Sequence, residues 1–238
     1  MLEGFHLDVA KVLGDSIAHE GFALGGGYGL QAYDIIDRPS KDLDAYAASY
    51  DPQVYARAER SLVTALEGRG YSCLITHRDD WFRGIQVTDP GTGQQVVVDL
   101  GYDYRTTPPI VVENIGPVLG IEDLVLGKVR ALVDRQAERD FMDVDAILQT
   151  GRWSPDDLYA KITAIRPELG REDFDLLLAS SASGSPLTYG SLGLDSTSQA
   201  ALHSRLETAA AGGAVFVRAH TRRGRAVRAH WRNGPTTR

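Results

Sequence analysis

The sequence predicts an α+β (mixed α/β) protein: a sheet with flanking helices, a helical C-terminal region and a basic β-hairpin tail. Three observations carry the expectation. Apolar residues recur at helical spacing in several segments, short alternating segments between them read as strands, and the C-terminus carries an arginine-rich tandem repeat.

Leu7, Ala10, Leu13 and Ile17 mark an amphipathic helix over 6–20. Phe22-Ala-Leu24 is a short strand broken by Gly25-Gly26-Gly27, and a short helix follows from Tyr28 to Tyr33. Pro39 disfavours helix in the residue before it, so Arg38-Pro39-Ser40 resets the chain. Lys41 to Tyr46 alternates charged and apolar residues as a strand does, and 52–69 is helical by period. Phe82–Thr88 and Gln95–Leu100 read as a hairpin turning at Asp89-Pro-Gly-Thr-Gly. Segments 121–133 and 137–149 are helical, and Ser154-Pro155-Asp156-Asp157 starts a further helix with serine as cap. The Ser- and Gly-rich stretch Ser180–Thr197 reads as a linker or mobile loop before a last helix, Gln199–Ala210. The expected organisation is a catalytic domain over 1–150, a helical region over 151–212 and a tail over 213–238.

With 238 residues, 43% of them hydrophobic, the chain can bury a sizeable core. No apolar run approaches the roughly 20 residues that span a bilayer, and Met1-Leu2-Glu3-Gly4 does not open a signal peptide, so no membrane partner and a cytoplasmic home are expected. The only cysteine, Cys73, excludes an intrachain disulfide and a cysteine zinc site, and is expected to be a small buried hydrophobe. Net charge is −7, but residues 214–238 hold seven arginines and no acid, leaving 18 bases against 32 acids in 1–213. Such a split points the tail at a polyanion or at its own acidic body. Val217–Ala226 and Val227–Thr236 are tandem decapeptides identical at six of ten positions. Read as a hairpin turning at Arg223-Gly224, they offer Arg218, Arg222, Arg228 and Arg232 to RNA.

Asp42-Leu43-Asp44 places two carboxylates on one face of a strand, which costs repulsion unless a cation neutralises it. Asp99 ends the apolar run Val96-Val97-Val98, where an acid needs a reason. If the two strands are neighbours, Asp42, Asp44 and Asp99 can hold hard cations such as Mg²⁺ through oxygen ligands and support an in-line displacement. Gly26 and Gly27 lack side chains at a helix start, so backbone N–H groups can approach a triphosphate there. Arg38 and Ser40 supply further donors to phosphate. Lys128 shares a helical stripe with Leu124 and Leu132, and an inward-facing lysine needs an anion.

Leu24-x-Gly26-Gly27-x-x-Leu30 followed by Arg38-x-Ser40-x-Asp42-Leu43-Asp44 resembles the signature of polymerase-β-like nucleotidyltransferases, specifically the AbiEii/AbiGii toxin group that includes the MenT toxins. The block Glu122–Leu132 around Lys128, and Arg139-Asp140-Phe-Met-Asp143, are similar to that group's lysine motif and Arg-Asp-x-x-Asp motif; Gly29 stands where an alanine is usual. The resemblance implies a nucleoside triphosphate substrate, Mg²⁺ on Asp42 and Asp44, and transfer to an acceptor hydroxyl, the 3′ end of tRNA in relatives. It further implies that Lys128 contacts the triphosphate, that Asp143 with Asp140 completes the site, and that a cognate antitoxin is the partner. A protein or small-molecule acceptor, and a non-catalytic RNA-binding module, are the alternatives.

Overall fold

The computed structural model describes residues 3–38 and 40–212, and beyond them the backbone of four short strands. The chain divides into two compact units, residues 1–124 and 125–238, so the Asp42/Asp44 motif and the Lys128/Asp143 motif belong to different units.

The first unit is built on a seven-stranded mixed sheet. Its strands are β1 (Ala23–Leu24), β2 (Asp42–Ala47), β3 (Ser72–Arg78), β4 (Arg83–Thr88), β5 (Gln95–Tyr102), β6 (Ile110–Val112) and β7 (Gly116–Val118), in the order β3-β4-β5-β2-β1-β7-β6. The expected hairpin is present: β4 and β5 pair antiparallel, and Asp89 stabilises the turn by accepting from Gly91 N and Thr92 Oγ1, each at 2.8 Å. Alternation along the strands decides which face is core. Leu43, Ala45, Ile85, Val87, Val96, Val98 and Leu100 are all buried, each such side chain stabilising the fold by roughly 1.5–3 kcal/mol when large and fully enclosed. Helix α3 (Pro52–Glu67) covers this face, and α1 (Gly4–Ile17) packs on α3. Glu59 of α3 anchors the contact, accepting from Arg78 Nε at 2.9 Å and pairing with Arg83, whose Nε stands 2.9 Å away, and the Arg78 bond above all holds its carboxyl below the usual range.

Three of these strands go beyond the sequence expectation. The adjacent β-branched pair Ile75-Thr76 is a legible signal for β3, whereas β6 and β7 are three residues each and owe their form to pairing. Cys73 lies on edge strand β3 half-buried, not enclosed as expected, and burial pushes its thiol up to about 11.

The second unit is helical. Helix α4 (Ile121–Arg135) enters it from the first, followed by α5 (Glu138–Gln149), α6 (Pro155–Thr163), α7 (Arg171–Ala179), α8 (Pro186–Ser191) and α9 (Ser196–Ala210). Ser154 and Asp157 form the reciprocal cap that the sequence announces. The stretch that reads as a linker is instead ordered helix: a 3₁₀ turn at Ser180–Ser183, then α8, then the start of α9. Tyr189 explains the difference, since its ring is fully buried and its hydroxyl donates to Ser181 O at 3.0 Å. One buried aromatic anchors a segment whose composition alone looks flexible.

The tail pairs antiparallel as β8 (Val215–Val217) with β11 (His230–Arg232) and β9 (His220–Arg222) with β10 (Arg225–Val227). Arg218, Arg228 and the Arg223-Gly224 turn lie outside the described residues, as do the side chains of Arg222 and Arg232.

Candidate functional site

In the first unit, β2 runs parallel to β5 with Asp42 opposite Val97 and Asp44 opposite Asp99. Parallel partners in register point to the same side, so the alternation that buries Leu43 and Val98 puts Asp42, Asp44 and Asp99 together on the opposite face. They act on one another: burial first, then the charges of Asp44 and Asp42, push the Asp99 carboxyl up to about 6.

The glycine turn closes onto this face. Gly25 N donates to Asp44 O at 2.8 Å, and Gly26 takes a left-handed φ of +57° directly against the Asp44 carboxylate. A Cβ at Gly26 would lie 1.8 Å from Asp44 Oδ2, and one at Gly27 would lie 2.8 Å from Ser40 Oγ, so neither position accepts a side chain without displacing a site residue. Helix α2 (Gly26–Gln31) thus starts at the acids. The alanine usual at position 29 is disfavoured here because its Cβ would stand 2.6 Å from Leu124 Cδ2. Ser40 is buried, and its carbonyl accepts from Tyr28 Oη at 2.8 Å; Tyr28 is also hydrogen-bonded to His6 Nδ1. Burial and the Asp42 charge push the Tyr28 hydroxyl up to about 12. Arg38 is held through its backbone, whose carbonyl accepts from Gln31 Nε2 at 2.5 Å.

At the start of α4, Asp123 pins the preceding loop by accepting from the backbone N and the hydroxyl of both Thr106 and Thr107 at 2.5–3.0 Å. Burial alone would raise this carboxyl, but those bonds outweigh it and hold it low.

In the second unit, Lys128 is nearly enclosed and its Nζ stands 2.8 Å from Asp143 Oδ2, which is itself buried. The inward lysine therefore finds its anion on α5. Asp140, expected to touch substrate, is fully buried and accepts from Arg135 Nε and Nη2, both at 2.7 Å. With both oxygens bonded to Arg135 and no exposed surface, it clamps the start of α5 to the end of α4. Asp145, not singled out in the sequence, is held the same way by Arg205 at 2.8 and 2.6 Å.

Among the described residues no three His, Cys, Asp or Glu side chains are gathered closely enough to hold an ion as they stand. The donor set at Asp42, Asp44 and Asp99 nonetheless suits a hard divalent cation: all the candidate ligands are carboxylate oxygens, and a cation would offset both the burial and the Asp44 and Asp42 charges that raise the Asp99 carboxyl. Also among the described residues, no helix is long and apolar enough to cross a membrane.

A carboxylate face on a mixed sheet, with a glycine turn packed against it, defines the nucleotidyltransferase class of fold. Solved structures agree: JHP933 of Helicobacter pylori is 16% identical with a TM-score of 0.56 over 86% of this chain and 88% of its own. The nucleotidyltransferase toxin MenT4 of Mycobacterium tuberculosis is 17% identical with a TM-score of 0.56 over 86% and 82%. No curated protein matches the chain. The family model for the nucleotidyl transferase AbiEii toxin of type IV toxin–antitoxin systems matches residues 9–211. The chain belongs to that family, which brings with it a nucleoside triphosphate substrate and an antitoxin partner.

Proposed function

We propose that this toxin transfers a nucleotide from a nucleoside triphosphate to the 3′ end of tRNA and so blocks translation. The observation that carries the reading is the shared face of Asp42, Asp44 and Asp99 with Gly26 seated against Asp44. In the proposed reaction the acceptor hydroxyl oxygen bonds to the α-phosphorus, the bond to pyrophosphate breaks, and the hydroxyl proton is lost. Asp42, Asp44 and Asp99 would hold Mg²⁺, which when bound lowers the cost of the charge developing on the attacking and leaving oxygens. The backbone of Gly26 and Gly27 approaches the triphosphate closely, with Ser40 and Arg38 beside it. The family resemblance assigns Lys128 to the triphosphate; its ammonium has three donors and stands 2.8 Å from Asp143 Oδ2. The seven arginines of 214–238 support a polynucleotide as acceptor, since the remaining chain is acidic.

The test is transfer of label from each α-labelled nucleoside triphosphate into total tRNA with Mg²⁺. Label at the tRNA 3′ end, lost on chelation, is expected; label in protein or in a small molecule instead would replace the acceptor, and no label from any nucleotide would reject the reading.

A further inference from the structure

A one-residue bulge in the edge strand re-aims a histidine at the acids. β3 pairs regularly with β4 up to Ile75 opposite Ile85, then shifts register so that His77 lies opposite Gly84 and Arg78 opposite Arg83. Without the shift His77 would oppose Arg83 on the core face, because a slip of one residue exchanges the two faces of a strand. With it, Arg78 reaches Glu59 and His77 joins the face of Asp99, whose own partner across β4 is again Gly84. Gly84 has no side chain to stand between them, and the bulge leans over it: a Cβ there would lie 2.7 Å from Thr76 Oγ1 and 3.3 Å from His77 Cβ.

The ring is oriented. Nε2 stands 3.2 Å from Asp79 Oδ2, and Phe82 packs against the ring edge at 5.4 Å between centroids. Asp79 takes the Nε2 hydrogen, so Nδ1 carries the lone pair, and among the described residues nothing bonds to it. His77 is also 57% exposed, so a ligand can reach it.

Direction of attack says which ligand. The acceptor oxygen must enter opposite the departing pyrophosphate. The glycine turn and Ser40 flank Asp44 on the β1 side, so the triphosphate occupies that side in the function proposed above, and the acceptor arrives over β5 and β4. That is where His77 stands. We propose that His77 contacts the acceptor's terminal ribose, Nδ1 accepting a hydrogen bond from the 2′-hydroxyl beside the attacking 3′-oxygen, and thereby selects RNA over DNA. The inference rests on the RNA reading above.

It is tested with two oligonucleotide acceptors of one sequence, one all-ribose and one carrying a single 2′-deoxy terminal nucleotide. We expect the preference for the ribose end, as a ratio of kcat/KM, to fall about fivefold in His77→Ala, with the melting temperature unchanged. His77→Gln, which retains an acceptor oxygen, should restore part of the preference, and Gly84→Ala, which pushes the bulge aside, should lower it with His77 still present. A merely structural role would slow both acceptors equally, so an unchanged ratio in His77→Ala overturns the contact. Failure of the unaltered protein to label any RNA overturns the RNA reading, and this contact with it.

Discussion

The two units treat carboxylates in opposite ways. On the sheet of the first unit, Asp44 and Asp99 are partners on adjacent strands, and burial together with the charges of Asp44 and Asp42 pushes the Asp99 carboxyl up to about 6. In the helices of the second, Asp143 is matched to Lys128, Asp140 to Arg135 and Asp145 to Arg205, all at 2.6–2.8 Å. Buried charge is tolerated when it is paired, so the helical carboxylates hold structure together. Like charges placed side by side are a cost to the fold, and a fold keeps such a cost where an outside cation removes it.

That contrast can be broken by exchanging the expected consequences. Asp42→Ala should cost about 10³-fold in nucleotide transfer, the several kcal/mol that a lost metal ligand removes, while the melting temperature stays within about 2 °C. A large loss of stability with activity intact would erase the distinction. Lys128→Ala should do the reverse for stability, lowering it by roughly 3–5 kcal/mol in denaturant titration because Asp143 is left buried without its ammonium. Asp140→Asn gives up the Arg135 clamp and should cost about 1–3 kcal/mol, with partial activity surviving if the buried carboxylate serves Arg135 alone.

The smallest effect is the most diagnostic. A carboxyl raised in the folded state contributes stability below its ordinary value and loses it as pH climbs through the folded value, here about 6. Metal-free protein should therefore melt lower at pH 8 than at pH 5.5 by an amount that Asp99→Asn abolishes. Mg²⁺ should raise the melting temperature more at pH 8 than at pH 5.5, and an equal rise at both would mean that Asp99 does not face the ion.

Much of the site is legible in the sequence. Asp42 and Asp44 lie two apart in an alternating segment, and period two alone puts them on one face. Gly26 and Gly27 announce a turn that a side chain would obstruct, against the Asp44 carboxylate at Gly26 and the Ser40 hydroxyl at Gly27. His77 is invisible at that level because its face depends on a bulge, and nothing local to Thr76-His77 distinguishes a bulge from regular pairing. Asp140 shows what spacing alone leaves open: its interval from Asp143 puts both on one side of α5, while the turn between α4 and α5 brings Arg135, five residues back, onto its carboxylate.

Local periodicity and turn chemistry determined most of the helices, α8 excepted, the β4–β5 hairpin and the pairing of two carboxylates on β2, because these depend on residues within a few positions of each other. Tertiary structure decided what those carboxylates meet. The parallel register of β2 with β5, far apart along the chain, sets Asp99 beside Asp44, and the folding of α5 against α4 gives Lys128 its anion. Contacts between distant segments are chosen by the burial of whole faces, which no short stretch of sequence encodes.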